Sequence, residues 1–188
     1  MPNPTEDILD AAATALARDR SASLHHIAKA AGVSRTTLSR HFPTREALIA
    51  ALVDRVFGET LSALDAAGLD TQPVDSALQS LVGSFGIIGR AWGIGYGLGY
   101  SWNELSKLVP GMAERVDTIE SRLKVFFERG QREGFFRQDV PAAWLAGALQ
   151  GLAETTSDLI ADEAMGTRQG PDFLAKMFLY GSHSPASR

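Results

Sequence analysis

The chain has no cysteine among its 188 residues, which excludes disulfides and a thiolate zinc site and suits a reducing, cytoplasmic setting. Catalytic signatures are missing too. There is no G-x-S-x-G elbow and no H-E-x-x-H motif, and the neighbouring His25 and His26 point different ways. These absences argue against an enzyme, a metal site or a cofactor. No basic stretch followed by an apolar run opens the sequence, so no secretory signal is expected. Strand alternation is absent outside a Gly-X run at 93–100, and nothing repeats. One apolar stretch, 77–102, is about as long as a membrane span, but Arg90 lies near its middle and seven glycines interrupt it. A buried helix in a bundle, with no membrane partner, is the expectation.

The most telling absence is of acid. Residues 20–45, RSASLHHIAKAAGVSRTTLSRHFPTR, contain no Asp or Glu, while Arg20, Lys29, Arg35, Arg40 and Arg45 make them +5 in a chain whose net charge is −4. Three of the four histidines, His25, His26 and His41, lie there as well. Residues 1–57 come to net +1 and residues 58–188 to net −5. A local positive surface in an acidic protein suits a polyanion, because neutralised phosphates release counterions.

Helical periodicity covers almost everything else, so the expected fold is all-α. Ile8, Ala12 and Leu16 mark a first helix over about 5–18. Ser23 caps a second, carrying Leu24, Ile27, Ala28 and Ala31, which Gly32 ends. Ser34 caps a third, anchored by Leu38 and Phe42 and stopped by Pro43. Thr44 caps a strongly amphipathic fourth, with Leu48, Leu52 and Val56 on one side. After a break at 67–73, a long helix is expected over about 74–100. Another, carrying Val116, Ile119, Leu123, Phe126 and Phe127, ends at Gly134. Two more follow, at about 141–164 and 171–181, before a disordered tail. Two domains are expected: residues 1–50 with the paired short helices, and 51–188.

The two short helices can cross closely, because Ile27, Ala28, Ala31, Val33 and Leu38 are small or medium apolar residues and Gly32 accepts positive φ. The helix after the turn then presents Arg35, Thr36, Ser39 and Arg40 outward. Arginine suits guanine O6 and N7, and hydroxyls suit phosphates or base edges. A duplex-DNA groove is the partner these residue types fit, while a basic solvated face on an ordinary helical hairpin is the bland alternative.

The run from Gly32 to Leu48, GVSRTTLSRHFPTREAL, preceded by IAKAA, resembles the N-terminal DNA-binding signature of TetR-family transcriptional regulators. The likeness covers about residues 8–57. The segment GQREGFFRQDVP also resembles the family's turn between its seventh and eighth helices. The resemblance implies a helix-turn-helix domain followed by a helical effector-binding and dimerisation domain. It implies that Ser23 and Thr44 cap helices and touch phosphates, that Arg35, Thr36 and Thr37 face the groove, and that His41 and Arg45 hold the DNA backbone. Arg45 stands where the family usually has lysine, and Ser39 where it usually has tyrosine. The usual glycine–aromatic pair before the second helix is replaced by Arg18, Asp19 and Arg20.

One helix in one groove gives weak specificity, and a symmetric dimer solves this by presenting two. The resemblance implies a homodimer on a palindromic operator, joined through the last two helices. Trp144, Leu145, Leu149, Leu152, Thr156, Phe173, Met177 and Phe178 are the candidates, although the same residues could close the monomer's own core. An effector of unknown identity is implied as well. The glycines at 83–99 leave space that Phe85, Arg90, Trp92, Tyr96, Tyr100 and Trp102 could line for a flat or apolar ligand. Close helix packing without a ligand is the other reading. Glu154, Asp158 and Asp162 fall on one helix face as solvated carboxylates. The whole points to a ligand-responsive repressor; the alternative is a helical ligand-binding or interaction protein that has lost specific DNA binding.

Overall fold

Apolar residues spaced three and four apart dictate helices, and the computed structural model of the protein, which describes residues 4–84 and 100–182, builds those residues as α-helices joined by turns and short loops. No strand forms among them. The chain divides into two units, one of Met1–Val56 with Arg90–Met112 and one of Phe57–Gly89 with Ala113–Arg188.

In the first unit α1, Pro4–Arg18, has Glu6 and Asp7 in its first turn and Arg18 in its last, which suits the helix dipole. Ile8, Leu9, Ala12, Ala15 and Leu16 form its buried stripe. Next come α2, Leu24–Ala30, and α3, Arg35–His41. Both start on a serine: Ser23 Oγ accepts from His26 N–H at 3.2 Å and Ser34 Oγ from Thr37 N–H at 3.0 Å. Gly32, at φ +67°, turns the chain between them. Its N–H bonds Lys29 O and the N–H of Val33 bonds Ala28 O, a Schellman closure that leaves few orphan carbonyls. Thr44 Oγ1 then accepts from Ala47 N–H at 3.1 Å to open α4, Arg45–Ala67, which starts in the first unit and ends in the second.

The long helix expected after the break is described over 74–84, here α5, and the rest of that expectation lies outside the described residues. A further helix not expected from the sequence follows: α6, Trp102–Leu108, in the first unit. It forms because Ser101 and Glu104 make a capping box. Ser101 Oγ accepts from Glu104 N–H, and the Glu104 carboxylate accepts from Ser101 N–H at 2.7 Å and from its hydroxyl at 2.6 Å. The hydroxyl bond, then the N–H bond, holds the Glu104 carboxyl below its ordinary value.

The second unit holds α7, Met112–Arg132, from Ala113 on, with α8, Ala142–Ala161, and α9, Gln169–Ser182. Phe126, Phe127, Phe136 and Phe178 are all buried there, and neighbouring rings lie 4.9–5.8 Å apart. Phe136 can press the edge of its ring against α7 because residue 130 is glycine. A Cβ at Gly130 would meet Phe136 Cε2 at 2.5 Å and Val74 Cγ1 at 3.1 Å. Gly130→Ala is expected to destabilise the fold by about 1–3 kcal/mol, read as a lowered urea midpoint, because the ring has to leave its place. A drop under a few tenths would contradict this packing.

The end of α8 shows the opposite economy. Glu163, at φ +58°, occupies the left-handed position that glycine fills after α2. The bonds are the same Schellman pair, Glu163 N–H to Ile160 O and Ala164 N–H to Leu159 O. A side chain there strains the backbone. Glu163→Gly is therefore expected to raise stability by up to about 1 kcal/mol in the same urea titration. No described helix is long and apolar enough to cross a membrane.

Candidate nucleic-acid interface

The caps and the Gly32 turn decide which face of α3 looks out. Leu38 is fully buried and Phe42 nearly so, which pins the inner side of the helix. Thr36, Ser39 and Arg40 point away from that side, and they and Arg35, the first residue of the helix, are all exposed. Lys29, His25 and His26 on α2 are exposed as well. Among the described residues no carboxylate comes within salt-bridge distance of Arg35, Arg40 or Lys29. Several acids of this unit are engaged elsewhere. Asp10 and Glu6 pair with Arg55 at 2.7 and 3.4 Å. Asp19 accepts from Ser21 N–H at 2.9 Å and from its hydroxyl at 2.6 Å; the hydroxyl bond, then the N–H bond, keeps its carboxyl below the usual value. A cleft of about 640 Å³ between α1 and α2, lined by Asp7, Asp10, Arg18, Asp19 and His26 among others, is touched by no residue of α3.

The remaining residues singled out in the sequence occupy different places. Ser23 and Thr44 are exposed caps of α2 and α4. Thr37 is half-buried, and its hydroxyl sits 2.9 Å from the Ser34 cap hydroxyl, so it turns toward the helix start rather than fully outward. His41 is half-buried with Nδ1 3.0 Å from Thr5 Oγ1, which ties the end of α3 to α1. Arg45 is half-buried, and its guanidinium donates to the main-chain carbonyls of Ala22 and Arg20, the latter at 2.7 Å. Nothing in the local sequence signals that partnership, since the contacts run 23 and 25 residues back along the chain.

The arrangement is a short helix offering two exposed arginines, neither with a carboxylate partner among the described residues, and two exposed hydroxyls. Bidentate guanidinium contacts to guanine and hydroxyl contacts to phosphate or base edges are what such a surface can make. Comparison with known proteins agrees. The model of a family described as bacterial regulatory proteins, tetR family, matches residues 8–52. The HTH-type transcriptional regulator NfxB of Pseudomonas aeruginosa is 30% identical over 183 residues, 96% of this chain and 95% of that protein. The chain belongs to the tetR family. It is a transcriptional regulator with an N-terminal helix-turn-helix and a helical C-terminal part, as the sequence led one to expect.

The HTH-type transcriptional repressor LfrR of Mycolicibacterium smegmatis is 43% identical over 77 residues, which is 41% of this chain and 41% of LfrR. The crystal structure of LfrR in complex with proflavine superposes with a TM-score of 0.71 at 26% identity, covering 93% of this chain and 94% of that one. Other solved regulators carry the fold at lower identity, among them the ketosteroid transcriptional regulator KstR2 of Mycobacterium tuberculosis, with TM-score 0.72 and 17% identity, covering 97% of this chain and 96% of that one.

Of the residues expected at a ligand site, Phe85, Arg90, Trp92 and Tyr96 lie outside the described residues. Tyr100 is half-buried and Trp102 is 37% exposed, immediately before and at the start of α6. The candidates for a dimer face divide. Leu145, Leu149, Thr156 and Phe178 are buried within the single chain and Leu152 is half-buried, so most of these belong to the core of the second unit. Trp144, Phe173 and Met177 are exposed at 60%, 47% and 66%. Leu159 and Tyr180, which the sequence reading did not single out, join them at 37% and 72%. Glu154, Asp158 and Asp162 are exposed, and no described group of His, Cys, Asp or Glu has the spacing to hold a metal.

Proposed function

We propose that this tetR-family regulator is a repressor that binds a palindromic operator as a homodimer and releases it when a small molecule binds. The observation that carries the DNA contact is the exposure of Arg35 and Arg40 on α3 without a carboxylate partner among the described residues. Arg35, Thr36, Ser39 and Arg40 read the groove. Lys29 and the hydroxyls of Ser23, Ser34 and Thr44 face the phosphates, while Thr37 steadies the start of α3 through Ser34 and His41 its end through Thr5.

Dimerisation through α8 and α9 is supported by their uncovered apolar side chains. Trp144, Leu152 and Leu159 fall on one side of α8, eight and seven residues apart, and Phe173, Met177 and Tyr180 on one side of α9, four and three apart. So much exposed apolar surface on two adjacent helices is the mark of an interface. Gly170 lets α9 approach α8 closely, since a Cβ there would meet Ile160 Cδ1 at 2.6 Å and Thr156 Cγ2 at 2.8 Å.

The effector reading rests on Tyr100, Trp102 and the aromatic, glycine-rich sequence before them, and it gains support from LfrR, solved with proflavine. A planar aromatic ligand is the class proposed. It relieves repression only through its different affinity for the DNA-binding and DNA-free states. The test is a titration of the protein against its own upstream DNA and a random-sequence duplex at several salt concentrations. A preference for the upstream DNA of about a thousandfold or more supports the reading. Equal, weak binding to both sinks it and favours a protein that has lost specific DNA binding.

A further inference from the structure

We propose that Arg45 is a positioning residue, which locks the connection between α1 and α2 onto the start of α4 and thereby sets the angle at which α2 and α3 meet the duplex. This rests on the DNA-binding reading above. A cation at this point in an acid-free run reads as a phosphate anchor, yet its fork points into the protein. Nη1 donates to Ala22 O and Nη2 to Arg20 O, the latter at 2.7 Å. The side chain is half-buried, and Ala22 beneath it is 3% exposed.

The connection needs such a lock. Residues 19–23 read DRSAS, with no glycine or aromatic to fold them tightly. Their own bonds are few: Ala22 N–H to Asp19 O at 2.9 Å, and the Asp19 carboxylate to Ser21. Two carbonyls of this loop, Arg20 O and Ala22 O, are two residues apart. A planar guanidinium spans them with parallel N–H donors, whereas a lysine ammonium is a single point that cannot hold both in one geometry.

What the loop fixes is the start of α2. Ser23, next to Ala22, caps it through His26 N–H, and Ile27 N–H bonds Ser23 O at 3.0 Å. α2 in turn carries α3 through the Gly32 closure. Arg45 is the first residue of α4 and follows α3 after only Phe42, Pro43 and Thr44. The clamp therefore joins the exit of the reading helix to the entry of its supporting helix and closes the ring of contacts around them. Arg55, ten residues on, holds the same helix to α1 through Asp10 and Glu6.

The test compares wild type with Arg45→Lys, which keeps the charge, and Arg45→Ala, which removes it. In free protein, hydrogen exchange at the amides of Ala22 and His26 is expected to speed up about tenfold in Arg45→Lys, because those bonds open locally once the fork is gone. On a random-sequence duplex both variants are expected to keep the wild-type dependence of affinity on salt, because no phosphate contact is lost. The preference for upstream over random DNA is expected to fall about tenfold in both, and lysine is not expected to rescue it. A purely global destabilisation would leave that ratio unchanged at temperatures well below melting. Wild-type exchange in Arg45→Lys, an unchanged preference ratio, or a salt slope lower by about one in Arg45→Ala alone would each overturn the proposal, the last by establishing a phosphate anchor. If wild type shows no preference for its upstream DNA, the regulatory reading fails and takes the effect on recognition with it, while the exchange rates still decide whether Arg45 holds the loop.

Discussion

Arg35→Ala with Arg40→Ala is expected to lower affinity for the upstream DNA at least about a hundredfold, since a lost bidentate arginine contact costs about 1–3 kcal/mol and two are removed per protomer. Both side chains are exposed and neither has a carboxylate partner among the described residues, so their removal leaves no orphaned acid and little effect on folding. The urea midpoint should stay close to wild type while binding collapses. The salt dependence should flatten as well, because cations that displaced counterions are gone. Anisotropy titrations at a series of salt concentrations read both effects. A double variant that binds as tightly as wild type, with an unchanged salt slope, would move the contact away from α3.

Met177→Glu is expected to separate the proposed dimer. Met177 is 66% exposed in the single chain, between Phe173 and Tyr180 on the same side of α9. A carboxylate placed there costs nothing in an isolated chain, where water reaches it. In a two-fold interface it is taken out of water on both protomers. Uncompensated buried charge costs about 3–5 kcal/mol, enough to weaken self-association by a hundredfold or more. Sedimentation at micromolar concentration should show a monomer in place of a dimer, with helix content unchanged. Binding to the upstream DNA should drop in parallel, because one recognition helix alone reads too few base pairs. A variant that stays dimeric would place the interface on another surface.

Local chemistry made the first half of the chain legible. Ser23, Ser34 and Thr44 each bond an amide three residues on, and Gly32 takes the one backbone conformation its neighbours avoid, so boundaries at 24, 35 and 45 follow from residue types within a few positions. The exposure of Arg40 followed from the buried Leu38 on the opposite side, and Arg35 is exposed as the first residue of its helix. Longer-range facts were not written locally. The partners of Arg45 lie more than twenty residues away, and charge alone suggests a phosphate. Phe136 on Gly130 depends on how the chain returns after α7. On α8 apolar residues occupy more than one side, so periodicity identified Trp144 and Leu145 together without telling which is exposed and which is buried. The helix α6 was hidden differently. Its S-x-x-E box is present at 101–104, but it follows an aromatic, glycine-rich run that reads as the end of a longer helix.

The most direct measurement of whether α3 lies in the major groove is chemical probing of guanine N7, an atom exposed only there, in the protein's own upstream DNA. Guanines are expected to be shielded from methylation in two half-sites about one helical turn apart, or a multiple of it, related by two-fold symmetry. Arg35→Ala with Arg40→Ala is expected to restore their reactivity. Tight binding to that DNA with every guanine N7 as reactive as in free duplex would contradict the placement of α3 in the groove.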